Sequence, residues 1–315
     1  MNDRRFIVFG DLIADCYYLD DKLLGMDGGS SRFNVIANLA GMSCKNSIIG
    51  GCGNDKKGKN IVKKMKELNM DTSQIFFRNA KTKAYYLSVD KAKLPKITYN
   101  CSKKSPKDGK TTWYDDNLED ISYYHSKAKD NDVIVLDDLD ELSLAIINMF
   151  KCDKMLDVGK TSQLERLRDN QILGLKNKIK ILQLNERVVP YLMQRFECKN
   201  LLEISKLFQP KLLIVTHGKD GADFVFGDKV YKKKLDNSAN EVDATGAGDA
   251  FLSVFIKKYY DNLEQVDYDF IDDTFEEAVK LTSKVVGHVG ARGHLYDKLL
   301  NKKLEREEQA EELEL

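Results

Sequence analysis

Three small residues and an acid near the C-terminal end of the chain have the types and spacing of a phosphate-transfer site. Residues 241–251 read EVDATGAGDAF, in which Gly246, Ala247 and Gly248 precede Asp249 and an apolar stretch that we predict to be helical. A helix N-terminus presents unpaired N–H groups and a positive dipole end, and small residues there let an anion reach the backbone. Asp249 would stay ionised beside them and could act as a general base that activates a hydroxyl for attack on phosphorus.

The same residues also permit a purely structural interpretation. Thr245 and Asp249 would then only cap the helix, while Gly246 and Gly248 form the turn before it. An isolated G-x-G is weak evidence for an anion site. The choice between the two interpretations depends on the elements that would position these residues and on the rest of the sequence.

A repeated alternation of strands and helices could position such a site. Two strand–helix pairs come first, 5–11 with 30–41 and 46–53 with 56–69. Later apolar runs that end in polar residues or glycine are 132–139, 154–159, 179–185 and 211–218. This alternation predicts an α/β fold with a mainly parallel sheet covered by helices, which binds ligands at the carboxyl ends of its strands.

Two segments interrupt the alternation. Residues 75–100 are rich in Phe, Tyr, Ile, Thr and Val and contain no convincing helix, and residues 16–24 are similarly strand-like. We therefore predict a small β-strand lid of antiparallel hairpins, set apart from the main sheet and formed from about 12–26 and 75–112. Because the chain has no repeat and no long linker, residues 1–315 are predicted to form a single domain.

The composition argues against several classes of function. Lys+Arg and Asp+Glu both total 50, so the net charge gives no reason to expect nucleic acid or an anionic membrane as a partner. The six cysteines form no C-x-x-C pair and have no histidine at ligand spacing, which argues against zinc. The apolar runs are too short for a signal sequence or a membrane span. We therefore expect a cytoplasmic protein with reduced thiols.

Four short motifs occur in order along the chain: GGSSRFNVIANLAG (28–41), GGCGNDKKG (50–58), VTHGKDGA (215–222) and DATGAGD (243–249). They resemble the signatures of the ribokinase-like (PfkB) family of carbohydrate and nucleoside kinases. In that family a Gly-Gly turn precedes Asn and an A-x-x-L-A helix, followed by G-x-x-G-x-D-x-x-G, T-x-G-x-x-G and D-T-x-G-A-G-D. The resemblance implies a ribokinase-like fold, a three-layer α/β/α arrangement with a mainly parallel sheet and a small β-strand lid.

The resemblance also implies a role for each matched residue. Asp249 would be the catalytic base, and the amides of Gly246, Ala247 and Gly248 would form the anion hole. Substrate-binding residues would be Asp15, Gly28, Gly29 and Asn34, and residues bordering ATP would be Asn185, Thr216, Gly218, Lys219 and Gly221. ATP and Mg²⁺ would be the cofactors, with a monovalent cation possible and no metal ligand assigned. The lid would close over the sugar and could pair two subunits in a homodimer.

The sequence also departs from the family pattern. The family commonly has N-x-x-E after the strand at 179–185, whereas Asn185 is followed three residues later by Val188. This puts metal handling in doubt and leaves Glu186 as an uncertain replacement. Ala244 displaces the first threonine of the D-T-x-G-A-G-D motif. Ile13 stands where ribose-specific relatives often carry Asn, which argues mildly against ribose.

These observations predict an ATP-dependent phosphotransferase acting on a hydroxyl of a sugar or sugar phosphate. A nucleoside kinase on the same fold is an alternative, because tyrosine doublets in the predicted lid would suit a nucleobase as well as a sugar ring. A non-catalytic PfkB-like metabolite-binding protein is a second alternative, motivated by Val188. Without the resemblance, Asp15 and Asn34 would be interpreted as turn or cap residues, and Lys219 as a solvated loop lysine.

Overall fold

The computed structural model describes residues 4–19, 22–89, 99–102, 120–235, 243–288 and 290–296. In chain order its strands are β1 (Phe6–Phe9), β2 (Ile13–Leu19), β3 (Lys22–Gly29), β4 (Asn46–Gly53), β5 (Gln74–Arg78), β6 (Ala84–Val89), β7 (Tyr99–Ser102), β8 (Val133–Leu136), β9 (Asp153–Val158), β10 (Ile181–Asn185), β11 (Leu212–Thr216), β12 (Ala222–Phe226) and β13 (Lys229–Lys233). Its helices are α1 (Ser31–Gly41), α2 (Lys56–Glu67), α3 (Ile121–Lys127), α4 (Glu141–Met149), α5 (Ser162–Glu165), α6 (Asp169–Leu173), α7 (Val189–Arg195), α8 (Leu201–Phe208), α9 (Ala247–Asp261) and α10 (Tyr268–Val286). Short 3₁₀ turns span Glu186–Val188 and Gly218–Asp220.

The main sheet forms the middle layer of the molecule. Within the described residues it has nine strands in the order β13-β12-β11-β10-β9-β8-β1-β4-β5. The pairs from β11 to β5 are parallel, whereas β12 and β13 join antiparallel at one edge. Helices α1, α2, α9 and α10 contribute to the core on one face, and α3 to α8 to the core on the other. The predicted three-layer α/β/α arrangement is therefore confirmed.

Strand β1 illustrates why the chain adopts this arrangement. All four residues of its sequence FIVF are buried. Successive side chains point to opposite faces, so Val8 joins one core and Ile7 and Phe9 join the other. A strand that is covered on both faces is apolar throughout, as expected for a parallel sheet. Burying each large aliphatic side chain contributes about 1.5–3 kcal/mol.

The second sheet corresponds to much of the predicted lid. Its order is β3-β2-β6-β7, with β2 antiparallel to β3 and β6 antiparallel to β7. Strands β2 and β6, one from each antiparallel pair, join the two pairs in parallel. Residues 90–98 and 103–112 of the predicted lid lie outside the described residues, as does the charged C-terminal segment from residue 297.

Strand β5 corrects the predicted boundary of the lid. Gln74–Arg78 pairs in parallel with β4 at the edge of the main sheet, although we predicted that the lid begins near residue 75. The apolar residues of β5 suit either sheet, and the preceding helix α2 supplies the crossover that a parallel strand needs. The aromatic ring of Phe76 also lies against Gly51, where any added side chain would overlap it.

Two helices that carry predicted site residues pack against each other in this framework. Helix α1 begins at Ser31, directly after the Gly28-Gly29 end of β3, and contacts α9 over much of its length. Helix α9 is largely buried and begins at Ala247. Among the described residues, no helix has both the length and the apolar character needed to cross a bilayer.

Candidate active site

The turn into α9 depends on two glycines for different reasons. Gly246 has φ of 82°, a left-handed conformation that side chains disfavour, and an added Cβ would lie 2.5 Å from that of Ala291. Gly248 is less crowded, because the nearest atom to an added Cβ would be Nε2 of Gln183 at 3.6 Å. Gly246 therefore fixes the path of the backbone, whereas Gly248 leaves space at the start of the helix.

The two acids of this motif have different surroundings. The buried carboxylate of Asp243 accepts hydrogen bonds from the backbone N–H of Thr245 at 2.9 Å and of Gly290 at 2.7 Å. It thereby ties the turn before α9 to the segment that follows α10. Asp249 lies one helical turn further along and makes no such backbone contact among the described residues. Asp243 therefore supports the turn, and Asp249 is the acid available for chemistry.

Asp249 is buried and is held by side chains of α1. Its Oδ1 accepts a hydrogen bond from Oγ of Ser31 at 2.5 Å, and its Oδ2 accepts one from Nδ2 of Asn34 at 2.8 Å. Burial raises the pKa of Asp249 to about 6, and the hydrogen bonds from Ser31 and Asn34 oppose this rise. The carboxyl group is therefore mainly ionised at neutral pH and is a stronger base than an exposed aspartate.

One cavity of about 340 Å³ connects the α9 turn with distant parts of the sequence. Its lining includes Ala247 and Gly248 and all of the residues predicted to border ATP, namely Asn185, Thr216, Gly218, Lys219 and Gly221. Apolar side chains complete much of the wall, including Leu235, Phe251, Phe275, Val279 and Val286. A cavity with apolar walls and a helix N-terminus at one end suits a ligand with a flat ring and an anionic group.

The predicted substrate-binding residues lie together at the β3–α1 turn. The carboxylate of Asp15 is so close to Gly29 that an added Cβ there would overlap it. Gly28 is similarly crowded by Nη1 of Arg292. Burial raises the pKa of Asp15 to about 6, with the cation of Arg292 opposing the rise. Asn34 joins this group to Asp249 through its hydrogen bond, and Asp249 directly follows Gly248, which lines the same cavity as the residues predicted to border ATP.

Several residues of the site were missed by the sequence analysis. Ser31 lies within a quoted motif, but the motif gave it no role. Arg292, only 1% exposed, donates from Nε to Oδ1 of Asn34 at 3.0 Å, and its Nη1 lies 3.4 Å from Oδ1 of Asp27. Tyr296 donates its hydroxyl to the same Asp27 carboxylate at 3.0 Å. Arg292 lies beyond the last of the four motifs, and no pattern in the sequence pointed to it.

Asp157 and Gln183 approach the α9 turn from the main sheet. Nε2 of Gln183 donates to Oδ1 of Asp157 at 3.0 Å and to the carbonyl oxygen of Gly248 at 3.2 Å. Burial, followed by the negative charge of Asp249, raises the pKa of Asp157 to about 7. A second carboxyl group therefore lies close to that of Asp249, at the carboxyl end of β9.

Val188 occupies the position of the family glutamate in N-x-x-E, and Glu186 is the nearby acid considered as its replacement. Val188 is fully buried among the core side chains of α7 and α8. Glu186 is half-exposed and lies 3.2 Å from Nδ1 of His217, lining a different cavity from the one that contains Asn185. Across the described residues, no three His, Cys, Asp or Glu side chains are grouped to hold a metal ion.

The fold and the four sequence motifs brought together in it are those of a small-molecule kinase. A comparison with models of protein families leads to the same class. The model of the pfkB family of carbohydrate kinases matches residues 7–295. The chain therefore belongs to this family.

Solved structures share the fold at low sequence identity. The nucleoside kinase of Methanocaldococcus jannaschii, an archaeal member of the ribokinase family, is 16% identical with a TM-score of 0.69, over 95% of this chain and 97% of that one. Fructokinase from Vibrio cholerae O395, solved with fructose, ADP and calcium, is 17% identical with a TM-score of 0.66, over 94% and 96% of the two chains. At these identities the likeness shows the fold alone.

One curated relative matches over a shorter region. Fructosamine kinase FrlD of Bacillus subtilis (strain 168) is 29% identical over 119 residues, which are 35% of this chain and 39% of the relative. The match therefore spans well under half the length of that protein.

Proposed function

We propose that the chain transfers the terminal phosphoryl group of ATP to a hydroxyl group of a sugar or sugar phosphate. The observation that carries the proposal is the position of Asp249. This buried carboxylate lies in the first turn of α9, beside the cavity lined by Gly248 and the residues predicted to border ATP. The acceptor would bind at the β3–α1 turn, whose Asn34 is hydrogen-bonded to Asp249.

In this mechanism Asp249 accepts the proton of the attacking hydroxyl. The open backbone of Gly248 and the positive end of α9 stabilise the negative charge on the phosphoryl oxygens during transfer. The N–H of Ala247 donates to the carbonyl oxygen of Ala244 at 3.2 Å, so it would have to leave that partner to contact a phosphoryl oxygen. Asp15 and Asn34 bind hydroxyl groups of the acceptor and align one of them with the base. The reaction then depends mainly on positioning and electrostatics, as is usual for phosphoryl transfer.

The nucleotide would enter as its magnesium complex. Mg²⁺ is usually bound by phosphate oxygens and water with few protein ligands. Binding of the magnesium complex therefore would not need a dedicated set of metal ligands on the protein. Lys219 is exposed at the cavity and can approach the phosphates. A monovalent cation and a homodimer formed through the small sheet belong to the same proposal, on the family resemblance alone.

The charged side chains near the β3–α1 turn favour some classes of acceptor over others. Asp15, Asp27, Asp137 and Asp249 provide four carboxyl groups near the β3–α1 turn, and the cations described beside them are Arg292 and Arg32. This balance favours a neutral or amine-bearing sugar over a strongly anionic one. The partial match to fructosamine kinase FrlD supports the inclusion of amine-bearing sugars among the candidates.

A screen of ADP release tests the activity and the acceptor class together. The acceptors are free hexoses and pentoses, fructosamines, sugar phosphates and nucleosides, each with MgATP in the presence and absence of K⁺. Transfer to a sugar supports the proposal, whereas transfer only to nucleosides supports the alternative kinase. The absence of transfer to every acceptor would favour a non-catalytic binding protein.

Asp249→Asn tests the identity of the base. We expect kcat to fall by roughly 10²–10⁴-fold, because general-base assistance is lost while the shape of the site is kept. ATP binding, measured by calorimetry, should change little. Asp261→Asn is the matched control, since Asp261 is an exposed acid of the same helix that contacts Lys257. Full activity of Asp249→Asn would exclude Asp249 as the base.

A further inference from the structure

We propose that Arg292 is a positioning residue for phosphoryl transfer, which holds the Asn34 amide so that its NH₂ group faces the base Asp249. The inference rests on the proposed function, because it takes Asp249 as the general base. It assigns a role to a buried cation that neither the sequence motifs nor the predicted substrate contacts required.

The contacts run in an unbroken series from Arg292 to the base. Nε of Arg292 donates to Oδ1 of Asn34 at 3.0 Å, and Nδ2 of Asn34 donates to Oδ2 of Asp249 at 2.8 Å. A guanidinium group can only donate hydrogen bonds, and an ionised carboxylate can only accept them. The Asn34 amide lies between the two, so only one of its two orientations satisfies both neighbours. The flipped amide would set oxygen against the carboxylate and NH₂ against the cation.

Arg292 is itself fixed in place. Asp27, which faces its Nη1, also accepts hydrogen bonds from the backbone N–H of Gly28 and from the hydroxyl of Tyr296. Nη2 of Arg292 is buried and makes no hydrogen bond to any residue that the structure describes. Burial of an incompletely bonded cation is unfavourable for stability. Its position beside Asn34 is therefore better explained by an effect on the site than by a gain in stability.

Charged groups from several elements face Asp249. Asp137, which follows β8, opposes ionisation of the base, and the charge of Asp249 in turn raises the pKa of Asp157 on β9. Ser31 and Asn34 of α1 donate hydrogen bonds to it, and the cation of Arg292 favours its ionised form. Loss of Arg292 would remove this favourable charge and free the Asn34 amide to flip. Both changes raise the pKa of Asp249.

The test is the pH dependence of kcat/KM for the acceptor at saturating MgATP, because this ratio reports the ionisation of groups in the enzyme before the acceptor binds. For R292Q we expect the acid limb to move upward by about one pH unit, from the value of about 6 for Asp249, which is about a fivefold loss at pH 6 in addition to any loss at pH 8.5. R292K keeps the charge but replaces the planar guanidinium group with an ammonium group of different donor geometry, so its acid limb should lie between those of R292Q and the wild type. An equal loss at every pH would overturn the proposal.

Tyr296→Phe is the matched control. It removes another hydrogen bond to Asp27 but does not touch Asn34, so its acid limb should coincide with that of the wild type. If R292Q does not fold, R292K carries the test alone, and an unmoved acid limb in R292K contradicts the proposal. The failure of the proposed function would be distinct, because Asp249→Asn would then remain active. If Asp249→Asn is inactive and the acid limb of R292Q coincides with that of the wild type, only the proposed role of Arg292 is overturned.

Discussion

Burial and hydrogen bonding act in opposite directions on the candidate base. Burial raises the pKa of Asp249 to about 6, and Ser31 is the first of the neighbours that oppose the rise. A base must be deprotonated to act, so kcat/KM should fall as the pH drops through this value. The balance gives Asp249 more basicity than an exposed aspartate while keeping it ionised at neutral pH.

Ser31→Ala should make the site more sensitive to acid. The variant loses a donor to Oδ1 of Asp249, so the pKa of the base rises further above about 6. We expect kcat/KM to fall by roughly three- to tenfold at pH 6 and by much less at pH 8.5, since a hydrogen bond to a charged group contributes about 1.5 kcal/mol or more. The measurement is the pH profile of kcat/KM for the acceptor.

Ser30→Ala provides the control for this profile. Ser30 is the adjacent residue, but its hydroxyl donates to Asp137 at 2.5 Å rather than to Asp249. Its acid limb should stay where the wild-type limb is. Equal shifts in the two serine variants would show that the effect comes from a general disturbance of the β3–α1 turn.

At the scale of elements, the N-terminus of α9 contains a tight turn of fixed backbone conformation and, next to it, the space proposed for the phosphoryl group. Gly246 supplies the turn through its positive φ, and Gly248 supplies the space. The two glycines look equivalent in the motif G-A-G-D. Their surroundings in the fold make them different, because only Gly246 is closely packed against Ala291.

The two glycines should therefore respond differently to alanine. Gly246→Ala should lower the free energy of unfolding by about 2 kcal/mol or more, through a disfavoured φ and the overlap with Ala291. Gly248→Ala should leave the melting temperature unchanged or slightly higher, because alanine is the better helix former. We expect it nevertheless to reduce kcat, since the new methyl group occupies the space proposed for the phosphoryl group. Thermal melts and kinetics on both variants separate these effects, and a fully active Gly248→Ala would contradict the anion hole.

At the scale of the whole molecule, the fold buries several carboxyl groups near one another in the site and raises their pKa values. Burial is the main cause of the raised pKa values of Asp15, Asp157 and Asp249, which lie at about 6 to 7. A raised pKa in the folded state means that the folded chain holds more protons than the unfolded chain between these values and the ordinary 3.8. At low pH these carboxyl groups therefore lower the free energy of unfolding the least. As the pH rises toward 7, they lower it progressively more.

Asp157→Asn should relieve part of this penalty. Asparagine can still accept the hydrogen bond from Gln183 but carries no charge, so we expect the variant to melt a few degrees higher than the wild type at pH 8. The difference between the two proteins should shrink as the pH falls from 8 to 5, where Asp157 in the folded wild type becomes protonated. Melting temperatures measured across this range test the sign, and a difference that does not vary with pH would contradict it.

Much of the fold could be predicted because its signals are local. The alternation of apolar runs and amphipathic segments is a property of neighbouring residues, and it correctly indicated helices at α1 and α2 and strands at β1 and β4. The sheet to which β5 belongs was predicted wrongly, because its apolar residues suit the edge of either sheet. Partner choice for such a strand depends on the path of the preceding helix, which the strand's own residues do not record.

The sequence by itself determined the family motifs, the class of fold and the polar and glycine part of the cavity lining, because glycines and polar residues at strand ends have position-specific physical reasons. Only the tertiary structure decided which acid of D-A-T-G-A-G-D supports the turn and which faces the site. It also brought Arg292 to Asn34, 258 positions apart in sequence, and placed Val188 in the core. Contacts of this kind depend on how helices and strands pack in three dimensions, and no short stretch of sequence specifies them.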